Sequence, residues 1–489
     1  MTHLPWLSLS IALPWISGLL VWLLPSHGRL AKGAALTGGL ATAIATLGAL
    51  LAFDPANPGF QLVEKHPWIP SVGSAYHVGI DGISVLFLPM TALLFLAVLL
   101  SGANPDHRRM PNLQFALLLF LEGATLGIFC ALDTVLFFLF WEMTLIPIHF
   151  LIALWGIGPD RRHAATKYTL TMLAGGVFVL FGLLLAALHH SPPLFDLPGL
   201  LADPAPHALQ WPIFLLLLVG FGVKVPLVPL HNWLITVAME GPAGIAAIMT
   251  GLKLGAYGLL RFLFPLAPMV VRELHWLLAG LGVVAILYGG LAAVAQGNPR
   301  RMLACASIAH VGLVVLGLAS LTRQGVQGAL LQLVNFSLAS GGLFLLLEQL
   351  RHRTGSLDPH HLGGIARPLP WLAFFCFLFG LAGIGMPLTS GFPGELLLLV
   401  GVLQSHLGAG LAALAGVILG AAAFFEFYRQ TFLGPLNRHL PADLPAPLPR
   451  EWLVMLTFGT LILLIGLHPA PLLEVTDASA RLWLEGMGK

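Results

Sequence analysis

The sequence predicts an all-α polytopic membrane protein of about fourteen transmembrane helices, and three observations carry that prediction. Hydrophobic residues make up 57% of the chain and charged residues only 9%, with a mean hydropathy of +0.90. Apolar runs of about 20 residues, enough to cross a bilayer core, recur from one end to the other. Lys and Arg fall unevenly between alternate connections.

The runs cover 5–24, 31–53, 83–101, 113–131, 134–155, 166–188, 211–230, 243–264, 275–295, 302–320, 326–348, 369–405, 409–432 and 452–472. The first opens in MTHLPWLSLSIALPW, which lacks a basic n-region and an early cleavage site, so it reads as a retained span. Segment seven runs through Lys224, Pro226 and Pro229. Segment twelve, too long for one straight span, runs through Pro387, Gly391, Pro393, Gly394 and Glu395. Proline removes a backbone donor and clashes with the preceding turn, so both helices are expected to be discontinuous. Two breaks five segments apart point to two inverted five-helix repeats, helices 4–8 and 9–13, with a site near the midplane. The expected organisation is helices 1–3 in 1–112, the repeats in 113–264 and 265–432, and helix 14 with a tail in 433–489. The longest connections, 54–82 and 189–210, carry Pro and Gly with little periodicity and hold no soluble domain.

Odd-numbered connections hold fifteen basic residues: Arg29, Lys32, Arg108, Arg109, Arg161, Arg162, Lys167, Arg300, Arg301, Arg351, Arg353, Arg367, Arg429, Arg438 and Arg450. Even-numbered connections and the C-terminal tail hold six: Lys65, Arg261, Arg272, Arg323, Arg481 and Lys489. By the positive-inside rule the odd connections are cytoplasmic and both termini lie outside. A net charge of +2, scattered through short loops, gives no footprint for nucleic acid, and the expected surroundings are lipids and other membrane proteins. Cys130, Cys305 and Cys376 stand singly in apolar runs, which offers neither a disulfide framework nor a cysteine-ligated cluster. With no dinucleotide or P-loop motif either, no cofactor and no metal are expected in this chain.

The remaining two basic residues, Lys224 and Lys253, sit inside apolar spans. A charged side chain at the bilayer centre costs roughly 2.5–3.5 kcal/mol on insertion scales, so retaining one marks function. Glu122, Glu142, His310, Glu395 and Glu426 are the other ionisable groups in apolar runs, and His149 lies seven residues after Glu142 on one helical face. A buried Glu–Lys contact that opens and closes is a proton switch, because each partner holds the other charged. Each residue has a plainer reading. Lys224 and Glu142 form a static ion pair, His310 fills the core, Glu395 caps a half-helix, Glu426 faces the interface near Arg429, and His231 bonds carbonyls freed by the break.

At these residues the chain resembles the antiporter-like, proton-pumping membrane subunits of respiratory complex I, in particular the M-subunit family of bacterial NADH:quinone oxidoreductase. LFFLFWEMTLIPIHFLIALWG, KVPLVPLHNW, LKLGAYGLLRF, ASIAHVG and the broken-helix motif GMPLTSGFPGEL stand in the family's order, and the similarity runs through essentially the whole length. The resemblance implies a hydrated midplane axis with Glu142 as the helix-five glutamate paired to Lys224. It makes Lys253 the central relay, His310 the link to the second half, Glu395 the group on the exit side, and Glu122 a further glutamate in helix four. It also implies antiporter-like and quinone-site membrane-arm subunits as partners, a bacterial inner membrane as location, and redox chemistry in those partners. In the expected cycle Glu142 separates from Lys224, whose proton passes to Lys253 and then by water and His310 to Glu395.

The chain departs from the family at several positions. After His231 the family continues with an acid and a histidine, whereas Asn232, Trp233 and Leu234 are followed here by Ile235, Thr236, Val237 and Ala238. Phe336 replaces a helix-eleven histidine, and two residues are missing between Lys224 and Lys253. His149, where the family often has Tyr, and Glu426 are the candidates to compensate, and Glu122 and His231 are further accessory candidates. Two alternatives stay open: a subunit of a multi-subunit sodium/proton antiporter, with Thr389, Ser390 and Glu395 as oxygen ligands, and a structural membrane-arm paralogue that has lost pumping.

Overall fold

In a computed structural model, residues 4–24, 28–101, 110–358, 361–438, 440 and 444–488 are described; Arg108, Arg109 and Lys489 of the charge count lie outside them. The chain starts with α1 (Trp6–Leu23), α2 (Gly28–Ala52), a hairpin of β1 (Gln61–Ile69) and β2 (Ser74–Ile80), α3 (Phe87–Ser101) and α4 (Pro111–Cys130). Next come α5 (Thr134–Met143), α6 (Leu145–Trp155), α7 (Arg161–Leu188), α8 (Leu197–Ala202), α9 (His207–Lys224) and α10 (Asn232–Glu240). After these follow α11 (Ala243–Gly251), α12 (Leu254–Gly258), a π-helical turn (Leu259–Leu263), α13 (Phe264–Leu266), α14 (Pro268–Val294), α15 (Pro299–Ala319) and α16 (Arg323–Thr354). The last are α17 (Pro370–Gly383), α18 (Gly391–Ser405), α19 (Leu407–Phe432), α20 (Pro449–Leu467) and α21 (Ala470–Gly486).

Twelve stretches among the described residues are long and apolar enough to cross a membrane, and they coincide with twelve of the expected segments. The other two segments are met by the shorter apolar helices α3 and the pair α17 and α18. Burial orders the bundle. The most apolar stretch of α16 is buried throughout and that of α15 almost so, which puts these two helices at the centre. At 1.5 Å per residue α16 is ~48 Å long. By contrast α19 turns Leu407, Leu411, Ile418 and Phe425 outward, as a lipid-facing helix does.

Both expected breaks are present, over 225–231 and 384–390. Two further interruptions had no strong signal: helix five is divided at Thr144, where Pro147 has no N–H to return to the preceding turn, and helix eight is divided at Lys253. The connection 54–82, read as aperiodic, holds the antiparallel β-hairpin, paired from Gln61↔Ile80 to Ile69↔Ser74. Register shifts at Gln61/Glu64 and Pro67/Ile69 break the two-residue alternation that would have announced it. The C-terminal tail is also ordered: α21 packs on the bundle, and its Trp483 indole donates to Leu260 O at 2.9 Å.

Asp133 caps α5 by accepting from Val135 N and Leu136 N at 2.9 and 3.0 Å, and it also accepts from Ser74 Oγ and Ala75 N of the hairpin. Nearby, Lys65 Nζ and His77 Nδ1 both reach Asp196 Oδ1 at 2.7 Å. Burial would push the Asp196 carboxyl up, but hydrogen bonds and charge from His77 and Lys65 outweigh it and hold the group at about 2. The lowered value adds stability that is present above about pH 4 and lost as pH falls toward 2. Melting curves of the wild type and Asp196→Asn should therefore differ by a constant amount above about pH 5 and converge in acid. A gap that does not change with pH would show that the carboxylate charge plays no part.

Candidate functional site

Lys224 ends α9, where the backbone turns away into the proline-rich break, and its ammonium is held by the helix-five junction. Nζ donates to Thr144 Oγ1 at 3.1 Å and to Trp141 O at 3.4 Å, and lies 3.8 Å from the centroid of the Trp141 ring. A lysine at a helix C-terminus is also favoured by the dipole. The break is secured by the Trp233 indole, which donates to Val223 O at 2.8 Å.

Glu142 is near enough to feel the Lys224 charge, yet the two make no ion pair, and Glu142 Oε1 has no protein hydrogen-bond partner. The contact implied by the resemblance is thus open in this structure. Its carboxylate lies instead against Gly176 of α7, where an added Cβ would sit 2.1 Å from Oε1. Glu395 is placed the same way: Gly385, at φ +66°, leaves room for its carboxylate, and a Cβ there would fall 2.0 Å from Oε2.

Lys253 follows Leu252 in the two-residue link between α11 and α12, in a left-handed conformation, φ +46°, and is only 6% exposed. Its ammonium hydrogen-bonds the Ser307 hydroxyl of α15, with Ser307 O at 3.4 Å. His310, one turn further along α15, has its ring against the Gly383 backbone and stacked on Phe336. The second break is held by a polar cluster. Ser390 Oγ donates to Asn335 Oδ1 at 2.6 Å, Asn335 Nδ2 to Ala382 O at 3.1 Å, and Gln332 Nε2 to Gly391 O at 2.9 Å.

Two cavities thread these groups. One of about 40 Å³ is lined by Lys224 and Lys253 together with Thr125 and Tyr168, whose hydroxyls have no protein partner. At roughly 10–15 Å³ per water it has room for about three waters, with polar atoms to bind them. A second, of about 20 Å³, is lined by His310 and Glu395. Together they are lined by four of the five residues expected on the axis.

The accessory candidates are less closely joined. Glu122 is fully buried in α4 with neither carboxylate oxygen partnered by protein. His149 lies beyond Thr144, whose backbone stays helical at φ −69° and ψ −22°, and its Nδ1 meets Thr169 Oγ1 at 2.9 Å. His231 meets the Tyr288 hydroxyl at 3.1 Å rather than freed carbonyls. Glu426 lies on the exposed face of α19, bonded to Arg429 at 2.7 Å, apart from the axis.

Several residues were not singled out from the sequence. Thr144, Trp141 and Ser307 hold the two ammonium groups, although all three stand inside the quoted motifs. Arg261, counted with an outer connection, is buried and grips Asp81 through two bonds of 2.8 and 2.5 Å. Arg300, counted with a loop, is buried too, and its guanidinium donates to Ala238 O and Gly241 O at 2.7 and 2.6 Å, neutralising the C-terminal end of α10.

A family profile described as "NADH:quinone oxidoreductase/Mrp antiporter, TM" matches residues 131–420. NADH-quinone oxidoreductase subunit M of Rickettsia conorii is 34% identical, with 98% of each chain covered. NAD(P)H-quinone oxidoreductase chain 4 1 of Synechococcus sp. is 37% identical over 97% of this chain and 92% of its own. A chain in the structure of respiratory complex I from Thermus thermophilus with bound NADH superposes with a TM-score of 0.90 at 31% identity, over 99% of this chain and 100% of that one.

Proposed function

The chain belongs to the NADH:quinone oxidoreductase/Mrp antiporter membrane-subunit family, and we propose that it moves protons in the membrane arm of a complex I-type oxidoreductase. The observation that carries this reading is the pair of cavities, the first holding both lysines and the second holding His310 and Glu395. Titratable groups at this depth are costly unless they are used. The site has the order of a relay. An event in partner subunits closes or opens the Glu142–Lys224 contact. With the contact open, as here, Lys224 is solvated by Thr144, Trp141 and the cavity, and its proton can pass through water to Lys253. His310 and Glu395 then carry it outward.

The same reading takes the chain as fourteen crossings arranged as two inverted repeats, with both termini on the outer side of a bacterial inner membrane. Oxidation and reduction belong to the partner subunits, and this chain contributes transport alone. Reading proton uptake by the assembled complex in proteoliposomes, with and without sodium, tests the ion. Transport should be unchanged when sodium is removed, whereas a strict sodium requirement would favour the antiporter reading.

Gly176→Ala probes the open glutamate. The atom its methyl group meets is the far end of a flexible side chain, so the carboxylate shifts while the fold persists. Protons moved per electron should fall several-fold with a normal amount of the chain in the complex. Unaltered transport would show that the position of Glu142 does not matter.

A further inference from the structure

The two cavities do not merge. Lys253 lines the first and His310 the second, and the fully buried ring of Phe336 lies beside both residues. That ring stacks on the His310 imidazole with centroids 4.6 Å apart and planes at 9°, and its centroid is 5.6 Å from Lys253 Nζ. A phenyl ring has no proton to give and no lone pair to accept one, so water cannot be relayed through it. One polar group holds Lys253 and lies a helical turn from His310. The Ser307 hydroxyl accepts from Lys253 Nζ and stands three residues before His310 on α15, on the same face of that helix. His310 Nδ1, buried, has no protein hydrogen-bond partner.

We propose that the Ser307 hydroxyl carries the proton from Lys253 to His310, and that Phe336 closes the direct water route between the two cavities. The proposal rests on the proton-transport reading of the site. A serine hydroxyl suits the task because it accepts and donates at once. His310 Nδ1 is unbonded here, so the transfer follows a turn of its ring toward Ser307: one N–H proton of the Lys253 ammonium moves to Ser307 Oγ as the hydroxyl's own proton moves to His310 Nδ1. A neutral amine and an imidazolium result, and the hydroxyl is unchanged. Rotation of the hydroxyl about its Cβ–Oγ bond then resets it for the next proton, while the imidazolium faces the cavity it shares with Glu395. Phe336 makes the connection narrow, so passage depends on one rotatable group instead of on a continuous column of water.

The test compares Ser307→Thr with Ser307→Val, which match in shape and differ in the hydroxyl. Both are placed in the assembled complex in proteoliposomes, and protons translocated per electron are measured beside Lys253→Ala. Ser307→Thr should keep most of the wild-type ratio, and Ser307→Val should fall to the level of Lys253→Ala. Adding Phe336→His to Ser307→Val should restore transport, because the imidazole offers a second path. Wild-type transport in Ser307→Val together with loss in Lys253→Ala overturns the hydroxyl bridge and leaves the proton reading standing. Wild-type transport in Lys253→Ala overturns both. A double variant still without transport removes the closing role given to Phe336. If the branched side chains keep the chain out of the complex, Ser307→Ala, smaller than the native residue, is judged against the same two limits.

Discussion

Lys253→Arg should stop proton translocation as fully as Lys253→Met does, lowering protons moved per electron by roughly a hundredfold, the usual scale for losing a positioned proton donor. The comparison is decisive because arginine keeps the positive charge and much of the reach of lysine but does not give up its proton in a protein. A purely structural cation, held by Ser307 and shielded from lipid at 6% exposure, would be replaced well by arginine and poorly by methionine. A proton carrier is replaced by neither. Lys224→Arg should behave alike, since its guanidinium can still stack on Trp141 and bond Thr144 while remaining charged. Proteoliposomes containing the assembled complex provide the measurement, with the amount of this chain checked by immunoblot. Normal transport in either arginine variant would reduce the lysines to packing and electrostatics.

The second large effect concerns stability. Asp81→Ala should destabilise the chain by about 3–5 kcal/mol, because it leaves the Arg261 guanidinium buried without its carboxylate. Arg261 has side-chain exposure of 5% and Asp81 of 7%, so water cannot make good the loss. Its remaining partner is the Tyr257 hydroxyl at 3.2 Å. The damage should show as a lower melting temperature in detergent and as little of the chain reaching the membrane complex. Replacing both partners by apolar residues of similar size, Asp81→Leu with Arg261→Met, should recover much of the stability, since neither charge is then stranded. A double variant as unstable as Asp81→Ala would locate the cost in packing around Phe60 and Tyr257 instead.

The sequence was most legible where a residue type acts alone. Prolines clustered within a few residues break a helix where the single Pro14 and Pro212 do not, so the breaks after Lys224 and before Glu395 could be read directly, and so could the apolar length of each crossing. It was least legible where the partner is remote. Nothing near Arg261 in the chain points to Asp81, 180 residues earlier, and nothing near Arg300 points to the last carbonyls of α10. Both arginines lie close to helix ends, where composition alone assigns them to loops. The hairpin was hidden by its bulges, and the interruption at Lys253 by neighbouring glycines that occur in continuous membrane helices as well. In the candidate site, the titratable side chains stood out because apolar surroundings make them conspicuous. Ser307 and Thr144 did not, since a hydroxyl in a membrane helix is ordinary until its neighbours are known.

The bonds from Arg300 to Ala238 O and Gly241 O have a mechanical meaning. They rivet the half-helix that follows Lys224 to the first turn of the helix bearing Ser307 and His310. Sliding one past the other would strand a buried cation and two carbonyls together, so the lysine side and the histidine side of the molecule are obliged to travel as a single piece.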